Sequence, residues 1–466
     1  MANNSYDALI IGSGQAGNPL AVALAEAGQR VALVEEHELG GSCINYGCQP
    51  TKALLASAER AHHVRTAAPY GVQAAAPAVD LAAAVARKNQ LLETLRAGIY
   101  HNLTHEHTGI TLLRGHAQFT GPRTVQVTAE TGAARELKAK RVFINTGTRP
   151  ALPDIEGLAE VPYFTPTSLL DLTTLPEHLL ILGGGYIGLE FGQMFRRFGS
   201  KVTIVENGLQ LLEREDDDVC QALQDTLETE GVEVVLGAEV RRAARTADGG
   251  CQLTAHTGSG ERRLRGSHLL VATGRTPNTD ALNLSAAGVA RDADGYIPVN
   301  SRLETNVRGI YALGDVHGGP QFTHLAYDDY RVVRDNLLHR GRRSARQRPL
   351  PYCVFTDPQL GRIGLNEEQA RAQGVPYRVA KMPVSVLGRA QETGRTAGFW
   401  KVLVGADDRI LGASIVCAEG GEIMSLFQLA MAGRLKYQQL QNMVLAHPCW
   451  AEGLNNVFAK LEEANS

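Results

Sequence analysis

One pattern of residues occurs twice in this chain, and it constrains the fold more than any other feature. Each copy is a short apolar strand, a glycine-rich loop, a helix and a second apolar strand that ends in an acid. The first copy covers residues 6–35 and the second covers 178–206, about 171 residues later. This order of elements predicts a βαβ unit with parallel strands. A repeat at this distance indicates two related domains rather than a short-period solenoid.

The loops of both copies have the spacing Gly-x-Gly-x-x-Gly. In this context the first glycine makes a tight turn and the second lets the backbone approach a pyrophosphate. The third lets the helix pack on the strand, and the helix N-terminus offers free N–H groups to the phosphates. The glycines are Gly12, Gly14 and Gly17 in the first copy and Gly183, Gly185 and Gly188 in the second. The alternative is a pair of tight turns that bind no ligand.

Two dinucleotide sites in one chain indicate two cofactors, a flavin dinucleotide and a nicotinamide dinucleotide, between which hydride passes. Each second strand ends in an acid, Glu35 or Glu206, that is placed to accept a hydrogen bond from an adenosine ribose. A carboxylate at Glu206 also repels a 2′-phosphate. Because no Arg or Lys lies between Glu206 and Glu213, the sequence favours FAD with NADH and disfavours NADPH.

Cys43 and Cys48 lie in the stretch GGSCINYGCQPTK. Their spacing is too far around a regular helix for a relaxed pair, so we expect an irregular turn, which Asn45 and Gly47 permit. A thiol at a helix N-terminus has a depressed pKa, which favours the nucleophilic thiolate. We therefore predict a redox-active pair, with Lys52 beside an electron-accepting ring. The alternatives are two inert buried cysteines or half of a metal site. The sequence offers no Cys-x2-Cys or His pair at a suitable spacing to complete such a site, and no metal site is predicted.

The composition argues against several functional classes. Lys and Arg number 46 against 49 Asp and Glu, and a net charge of −3 does not indicate a nucleic-acid binder. No stretch approaches the ~18 apolar residues of a membrane span. The polar N-terminus, residues 1–7, lacks the basic and apolar regions of a signal peptide. Seven cysteines spread over the chain do not resemble a secreted disulfide framework. We expect a cytoplasmic protein with no nucleic-acid or membrane partner.

These features, with further motifs, resemble the class I pyridine nucleotide–disulfide oxidoreductases, which include glutathione reductase, lipoamide dehydrogenase and mercuric reductase. The motifs follow the family order: GSGQAG, the cysteine stretch, INTGTRP, GGGYIGLE, ATGRTPN, YALGD and HPCWAE. They extend over essentially the whole chain. The resemblance implies an α/β fold, with two Rossmann-like dinucleotide-binding domains for FAD and NAD and a C-terminal α+β dimerisation domain, in a homodimer.

The resemblance also implies that the nicotinamide domain is inserted in the flavin domain. We expect the FAD domain at 1–150 and 275–345, the NAD(P) domain at 151–274 and the dimerisation domain at 346–466. In the last domain the residue pattern predicts two antiparallel strands followed by two helices, at 399–404, 409–416, 422–433 and 450–463.

The resemblance assigns roles to residues near the cysteines. Cys48 resembles the thiol next to the flavin, and Cys43 resembles the interchange thiol that attacks the substrate. Lys52 and Glu190 resemble the ion pair near the flavin ring. Tyr186 resembles the gate over the nicotinamide pocket.

Further roles come from the later motifs. His447 and Glu452 resemble the family's base and its orienting carboxylate, which the other subunit supplies. The chemistry needs that pair, because a His must carry a proton to and from the interchange thiol while a carboxylate fixes its tautomer. Asp315 resembles the acid that binds the ribityl or phosphate part of FAD. The motifs INTGTRP and ATGRTPN add four cofactor-contacting positions: Thr146, Gly147, Gly274 and Arg275.

Within the family, the chain resembles the bacterial reactive-chlorine-resistance flavoproteins, which are grouped near mercuric reductase. The matching stretches include CINYGCQPTK, GGPQFTHLAYDDYRVVRD and LPYCVFTDPQLGRIG. Members of that branch reduce oxidising metal ions, copper among them, with NADH. The resemblance therefore implies that the acceptor is a metal ion, Cu(II) or Hg(II), or an oxidised small molecule.

The motif HPCWAE departs from the family's usual HPT-x-SE at Cys449 and Trp450. Cys449 is either a buried small residue in place of threonine or a third redox or metal-binding thiol. Two other functions stay open. One is lipoamide dehydrogenase or another thiol–disulfide reductase. The other, of a different class, is a flavin-binding redox sensor that uses the disulfide as a switch and turns over slowly.

Overall fold

The first strand–loop–helix–strand unit is present in the computed structural model, which describes residues 4–346 and 348–463. Strands β1 (Ser5–Ile11) and β2 (Val31–Glu35) pair in parallel, and helix α1 (Gly17–Glu26) connects them. Apolar side chains of both strands are buried on both faces of the sheet, as expected for parallel strands covered by helices. The predicted βαβ unit is confirmed.

The remaining elements of the first part extend this unit into a larger mixed sheet. They are α2 (Gly41–Asn45), α3 (Cys48–Arg65), α4 (Leu81–His101), β3 (Ile110–Arg114), β4 (His116–Gly121), β5 (Thr124–Thr128), β6 (Ala134–Ile144) and β7 (Thr148–Pro150). The strand order is β3-β2-β1-β6-β5-β4. The glycine loop therefore lies near the middle of the sheet, at the carboxyl end of β1, where open α/β sheets bind their ligands.

The second unit repeats the arrangement of the first. Its elements are β8 (Tyr163–Phe164), α5 (Pro166–Leu169), β9 (His178–Leu182), α6 (Tyr186–Phe198), β10 (Lys201–Val205), α7 (Asp217–Thr229), β11 (Val232–Val235), β12 (Glu239–Arg245), β13 (Cys251–Thr257), β14 (Gly260–Gly266), β15 (His268–Val271) and β16 (Arg275–Pro277). Strands β9 and β10 pair in parallel around α6, as β1 and β2 do around α1. The parallel sheet has the order β11-β10-β9-β15-β8, and β12, β13 and β14 form a separate antiparallel sheet.

The chain returns to the first sheet after the second unit. Strand β16 pairs with β7, and β17 (Ile310–Ala312) pairs in parallel with β6. Helix α8 (Thr323–Leu338) then packs against α1. Residues on both sides of the second unit share one apolar core, for example Ile144 with Ile310. The second unit is therefore inserted between two segments of one α/β layer.

The last part of the chain forms a mainly antiparallel sheet with helices. Its elements are β18 (Tyr352–Val354), β19 (Gln359–Gly364), α9 (Glu367–Ala372), β20 (Tyr377–Pro383), α10 (Gly388–Glu392), β21 (Phe399–Gly405), β22 (Ile410–Cys417), α11 (Gly420–Ala432), α12 (Tyr437–Gln441), α13 (Gly453–Asn456) and β23 (Leu461–Glu463). The strand order is β18-β19-β22-β21-β20-β23. The two predicted antiparallel strands and the helix at 422–433 are confirmed.

The single helix predicted at 450–463 is wrong. The segment consists of two short 3-10 turns around α13, and it ends in β23, where Leu461 pairs with Ala380 of β20. Leu454, Val457 and Phe458 are buried, and their helical spacing produced the prediction. Beyond them the chain pairs with the edge of β20, and pairing with a distant strand cannot be recognised from a local sequence pattern.

Buried basic side chains join the second unit to the last sheet. Lys401 of β21 is 1% exposed, and its Nζ lies 2.6 Å from carboxylate oxygens of both Asp216 and Asp218 at the start of α7. Arg197 of α6 lies 3.0 Å from Asp357 Oδ2, in the loop before β19. Because an unpaired buried charge is strongly unfavourable, these pairs fix α6 and α7 against the last sheet.

No helix of the described residues is both long enough and apolar enough to cross a membrane.

Candidate active site

A cleft of about 1020 Å³ extends from the first glycine loop to the two cysteines. Its lining comes from both segments of the first layer and from α6 of the second unit. Of the residues that the sequence singled out, it includes Gly12, Gly14, Glu35, Cys43, Cys48, Lys52, Thr146, Gly147, Tyr186, Glu190, Arg275 and Asp315. Those outside its lining are Gly17, Gly183, Gly185, Gly188, Glu206, Gly274, His447 and Glu452.

The first glycine loop fits a dinucleotide. A Cβ at Gly12 would lie 2.4 Å from the Asn145 carbonyl oxygen, and one at Gly17 would lie 2.2 Å from the Gly12 carbonyl oxygen. A side chain at Gly14 would collide with the Asn145 amide at 2.8 Å. Helix α1 has no side-chain cap and no acid in its first turn. Its N–H groups are therefore available to an anion at this end of the cleft.

The acid that ends β2 and the acid that follows β10 are held in the same way. Glu35 Oε2 accepts hydrogen bonds from Ser13 N at 2.8 Å and Ser13 Oγ at 2.6 Å. Glu206 Oε2 accepts one from Gly184 N at 2.5 Å, and its Oε1 accepts one from Gly208 N at 2.6 Å. In each unit the backbone N–H after the first loop glycine fixes the carboxylate. This positions it at the edge of the glycine loop, where a ribose is expected.

The second glycine loop has the same backbone requirements. Gly183 has a φ of +114°, and a Cβ there would lie 2.5 Å from the Ala272 carbonyl oxygen. A Cβ at Gly188 would lie 2.0 Å from the Gly183 carbonyl oxygen. Gly185 faces open space, which leaves room for a ligand beside the loop. Gly274, with a φ of +137°, is also open.

The two cysteines meet at a break between two helices. Helix α2 ends at Asn45 and α3 begins at Cys48, with Gly47 in a non-helical conformation (φ −133°, ψ −111°). The Asn45 amide donates to the backbone oxygens of Leu39 and Gly41 and fixes the short first helix. Both cysteines are free thiols in this structure, and the interaction between them is the largest influence on the pKa of each. The predicted irregular turn and the position of Cys48 at a helix start are confirmed.

The environment makes the two thiols different. Hydrogen bonds from Cys43 and from Thr323, whose Oγ1 lies 3.2 Å from Cys48 Sγ, lower the pKa of Cys48 to about 6, and the charge of Lys52 adds to this. The same hydrogen bond and burial raise the pKa of Cys43. Cys48 therefore loses the first proton of the pair, and Cys43 keeps one.

This difference predicts a titration in the reduced protein. We expect the Cys48 thiolate to be present above about pH 6 and to be lost as the pH falls below it. Replacing Cys43 with alanine removes the main hydrogen bond and is expected to move the midpoint up towards 9, the ordinary value. The measurement is the ultraviolet absorbance of the thiolate as a function of pH, with Cys48→Ser as the blank. A wild-type midpoint near 9 would contradict the assignment.

An ion pair crosses the cleft next to the thiols. Lys52 Nζ of α3 lies 2.6 Å from Glu190 Oε2 of α6, and the Glu190 side chain is 3% exposed. Glu190 Oε1 accepts a hydrogen bond from Phe355 N at 2.9 Å, and Lys52 Nζ lies 4.6 Å from the centre of the Phe355 ring. The structure thus brings the predicted pair together and adds Phe355, from the segment after β18.

One wall of the cleft holds the predicted Asp315 and Arg275. Arg275 Nε donates to Thr148 Oγ1 at 2.7 Å, and Thr148 Oγ1 donates to Asp315 Oδ2 at 3.3 Å. Burial raises the pKa of Asp315. Thr146 Oγ1 donates to the Asn278 carbonyl oxygen, which ties the two predicted turns of this wall together.

Tyr186 is the first residue of α6 and lines the cleft beside the ion pair. Burial raises its pKa to about 12. Its ring centre lies 6.1 Å from that of Phe322, the residue before α8.

The His447–Glu452 pair is formed but lies away from the cleft. His447 Nδ1 lies 2.8 Å from Glu452 Oε1, and Glu452 Oε2 accepts a hydrogen bond from Cys449 N at 2.9 Å. The hydrogen bond to Glu452 raises the pKa of His447, whose side chain is 75% exposed. Cys449 Sγ lies 2.8 Å from the Ala446 carbonyl oxygen, so its thiol is occupied within its own turn.

The sequence reasoning missed several residues of the site. Ser13, Asn145 and Thr148 fix the predicted residues, while Thr323 and Phe355 contact the thiols and the ion pair. Ser13 lies within the first glycine loop, and Asn145 and Thr148 lie within INTGTRP, but the sequence analysis assigned roles only to their neighbours in these motifs. Thr323 and Phe355 lie in two stretches that carry the family resemblance, and that was their only signal. Among the described residues, no three His, Cys, Asp or Glu side chains are gathered so that they could hold a metal ion.

Comparisons with known proteins agree with this geometry. The family model for pyridine nucleotide-disulphide oxidoreductases matches residues 6–329, and the dimerisation-domain model of the same family matches 350–458. The chain is 40% identical to the probable pyridine nucleotide-disulfide oxidoreductase RclA of Escherichia coli (strain K12), over 98% of this chain and 99% of that protein. It is 36% identical to a mercuric reductase of Lysinibacillus sphaericus, over 97% of this chain and 82% of that protein.

A solved structure has the same fold. The Cu(II) complex of the HOCl-induced flavoprotein disulfide reductase RclA from Escherichia coli matches with a TM-score of 0.89 and 39% identity. The match covers 98% of this chain and 99% of that one.

Proposed function

The chain belongs to the pyridine nucleotide-disulphide oxidoreductase family and is a flavoprotein disulfide reductase related to RclA and mercuric reductase, and from this premise we propose that it passes electrons from NADH through Cys43 and Cys48 to an oxidised acceptor. One observation carries the proposal. One cleft is lined by the two thiols, by the ion pair of Lys52 and Glu190, and by the first glycine loop. A dinucleotide bound at the glycine loop would therefore lie in the same cleft as the thiols that it reduces.

The two cofactor sites are assigned to the two glycine loops. Bound FAD would supply the electron-accepting ring that this chemistry needs. The residues proposed to hold it are Gly12, Gly14, Gly17, Glu35, Thr146, Gly147, Arg275 and Asp315. The residues proposed to hold NADH are Gly183, Gly185, Gly188, Glu206 and Gly274, with Tyr186 as the gate over the nicotinamide.

The thiols carry the electron pair in a balanced exchange. Two electrons and one proton convert the Cys43–Cys48 disulfide to a Cys48 thiolate and a Cys43 thiol, the protonation states that the hydrogen bond between them favours. Reoxidation of the pair releases two electrons, enough for two Cu(II) to become Cu(I) or for one Hg(II) to become the metal. Lys52 keeps a positive charge beside the thiolate and is held by Glu190.

We propose a homodimer in which the His447–Glu452 pair of one subunit serves the thiols of the other. The support is geometric, because the pair is oriented for proton transfer while His447 is exposed and lies outside the cleft lining. Glu452 fixes a proton on Nδ1, which leaves Nε2 to take the proton of Cys43. The dimerisation-domain match at 350–458 supports the same assembly. The cytoplasmic location and the domain boundaries at 150, 274 and 345 stay predictions.

A metal ion, Cu(II) or Hg(II), is the acceptor that we favour, and an oxidised small molecule is the alternative. The support is the likeness to mercuric reductases and to a relative solved as a Cu(II) complex. A dihydrolipoyl dehydrogenase of Thermus scotoductus is 35% identical over 97% of this chain, which keeps the lipoamide alternative open.

The test is steady-state oxidation of NADH by the purified holoprotein with Cu(II), Hg(II), lipoamide and glutathione disulfide side by side. We expect fast turnover with a metal ion. We also expect NADH to be preferred over NADPH by about tenfold or more, because the Glu206 carboxylate repels a 2′-phosphate. Fast turnover with lipoamide or glutathione disulfide would overturn the metal assignment. Reduction by NADH without repeated turnover on any of the four would indicate the redox sensor instead.

A further inference from the structure

Three aromatic rings form a stack that begins in the lining of the cleft and leads away from it. The ring centres of Tyr186 and Phe322 are 6.1 Å apart, with 34° between the ring planes. Phe322 is nearly parallel to Tyr352, at 9°, with their centres 5.4 Å apart. Of the three residues, Tyr186 lines the cleft, whereas Phe322 and Tyr352 do not. The stack therefore supports Tyr186 from outside the cleft.

The far end of the stack is anchored by a buried charge. The Tyr352 hydroxyl donates a hydrogen bond to Glu215 Oε1. Glu215 Oε2 lies 3.0 Å from Arg362 Nε, and the side chains of Glu215 and Arg362 are 4% and 2% exposed. An ion pair enclosed in this way keeps its geometry, because moving either charge leaves the other unpaired. The hydroxyl thus fixes the position of the Tyr352 ring. Stacking alone would let the ring slide, because aromatic rings can pack in more than one offset arrangement.

The same anchor is connected to the second glycine loop. Glu215 N donates to the Leu212 carbonyl oxygen at 2.8 Å, and Leu212 N donates to the Gly184 carbonyl oxygen at 3.0 Å. Gly184 lies two residues before Tyr186. The contacts therefore form a closed path. It starts at the loop, passes through Tyr186 and the other two rings to Glu215, and returns to the loop.

We propose that Tyr352 is a positioning residue for NADH. Through Phe322 it fixes the place of the Tyr186 ring, and so sets how firmly the nicotinamide ring is held and how well it is aligned for hydride transfer. This role rests on the proposed function, in which Tyr186 is the gate and NADH the electron donor. It adds a residue from the last sheet to the nicotinamide site, and this residue acts only on the nicotinamide half of the dinucleotide.

The substitution Tyr352→Phe tests this role because it keeps the ring and removes only the hydroxyl. The flavin-loaded protein is titrated calorimetrically with NAD⁺ and with ADP-ribose, which lacks the nicotinamide. We expect the Kd for NAD⁺ to rise about fivefold to tenfold, as for the loss of one hydrogen bond to a charged group, and the Kd for ADP-ribose to stay unchanged. Reduction by NADH in rapid mixing is expected to slow by about the same factor.

The substitution Tyr377→Phe is the matched control. The Tyr377 hydroxyl lies 3.2 Å from Glu367 Oε2, and Glu367 pairs with Lys401 in the neighbouring buried charge cluster, but Tyr377 has no contact with the aromatic stack. We expect wild-type affinities for both ligands. Phe322→Leu, which removes the middle ring, is expected to reproduce the selective loss of NAD⁺ affinity.

Two results would overturn this role. The first is wild-type behaviour of Tyr352→Phe, whether or not Phe322→Leu has an effect, because the anchor would then be unnecessary. The second is an equal loss of NAD⁺ and ADP-ribose affinity, which indicates damage to the whole second unit. A wild-type holoprotein that NADH does not reduce would instead overturn the proposed function itself, so the two failures are distinguishable.

Discussion

Replacing Cys43 with serine is expected to lower acceptor turnover by roughly a thousandfold or more, while FAD binding, NADH binding and a first reduction by NADH are retained. A serine hydroxyl cannot form the disulfide and has no accessible anion to attack an acceptor. Cys48, Lys52 and the glycine loops are untouched by the change. Steady-state turnover with the best acceptor, together with rapid-mixing reduction by NADH, separates the two half-reactions.

Cys353 provides the matched control for this prediction, and Cys449 provides a second test. Cys353, near the ion pair, has its pKa raised to about 12 by burial, and its thiol is chemically quiet near neutral pH. We expect Cys353→Ser to turn over like the wild type. Cys449→Ser separates the two interpretations of that residue, since only a third redox or metal-binding thiol makes turnover fall. Undiminished turnover in Cys43→Ser would remove the dithiol mechanism.

The second large effect is expected for His447→Gln. Acceptor turnover should fall by about 10²- to 10⁴-fold, the usual range for loss of a general acid–base group, with reduction by NADH unchanged. The direction of the change in turnover with pH shows which form of His447 is active. The free base is the active form, so turnover rises as the pH increases through the pKa of His447, which Glu452 holds above 6.5. In Glu452→Gln that pKa falls, and the rising limb should move to lower pH.

Mixed dimers test whether His447 acts across the subunit interface. A heterodimer of one Cys43→Ser subunit and one His447→Gln subunit, purified through two different tags, contains one site with both wild-type residues if the base comes from the partner. Its turnover should then return to about half that of the wild type, although each parent homodimer is inactive. Continued inactivity of the heterodimer would place the base in the same subunit as its thiols.

The features that could be predicted from the sequence are local ones. Both βαβ units, the irregular turn at Gly47 and the helix start at Cys48 depend on residues within a few positions of one another. Glycine spacing is informative because the first and third glycines are enforced by backbone contacts of 2.0–2.5 Å to a hypothetical Cβ. The Lys52–Glu190 contact joins residues 138 positions apart, and only the family resemblance predicted it.

Features that depend on packing between distant segments could not be predicted. Phe355 reaches the ion pair, and Tyr352 reaches Glu215, only because the last sheet packs on α6 and α7 through buried charges. Neither residue has a local signal of these contacts, since Tyr352 begins the short strand β18 and Phe355 directly follows it. The error at 450–463 has the same origin, because the apolar spacing is helical but the edge of β20 pairs with the end of the segment.

The most direct test of the account is the oxidation state of the seven cysteines during a single turnover. Oxidised holoprotein receives one equivalent of NADH without oxygen and is then alkylated and analysed by mass spectrometry. The account predicts that, of the seven, only Cys43 and Cys48 change, from protected before NADH to alkylated after it, and that they are protected again once the acceptor is added. Consumption of NADH with the alkylation of these two residues unchanged would contradict the claim that they carry the electrons.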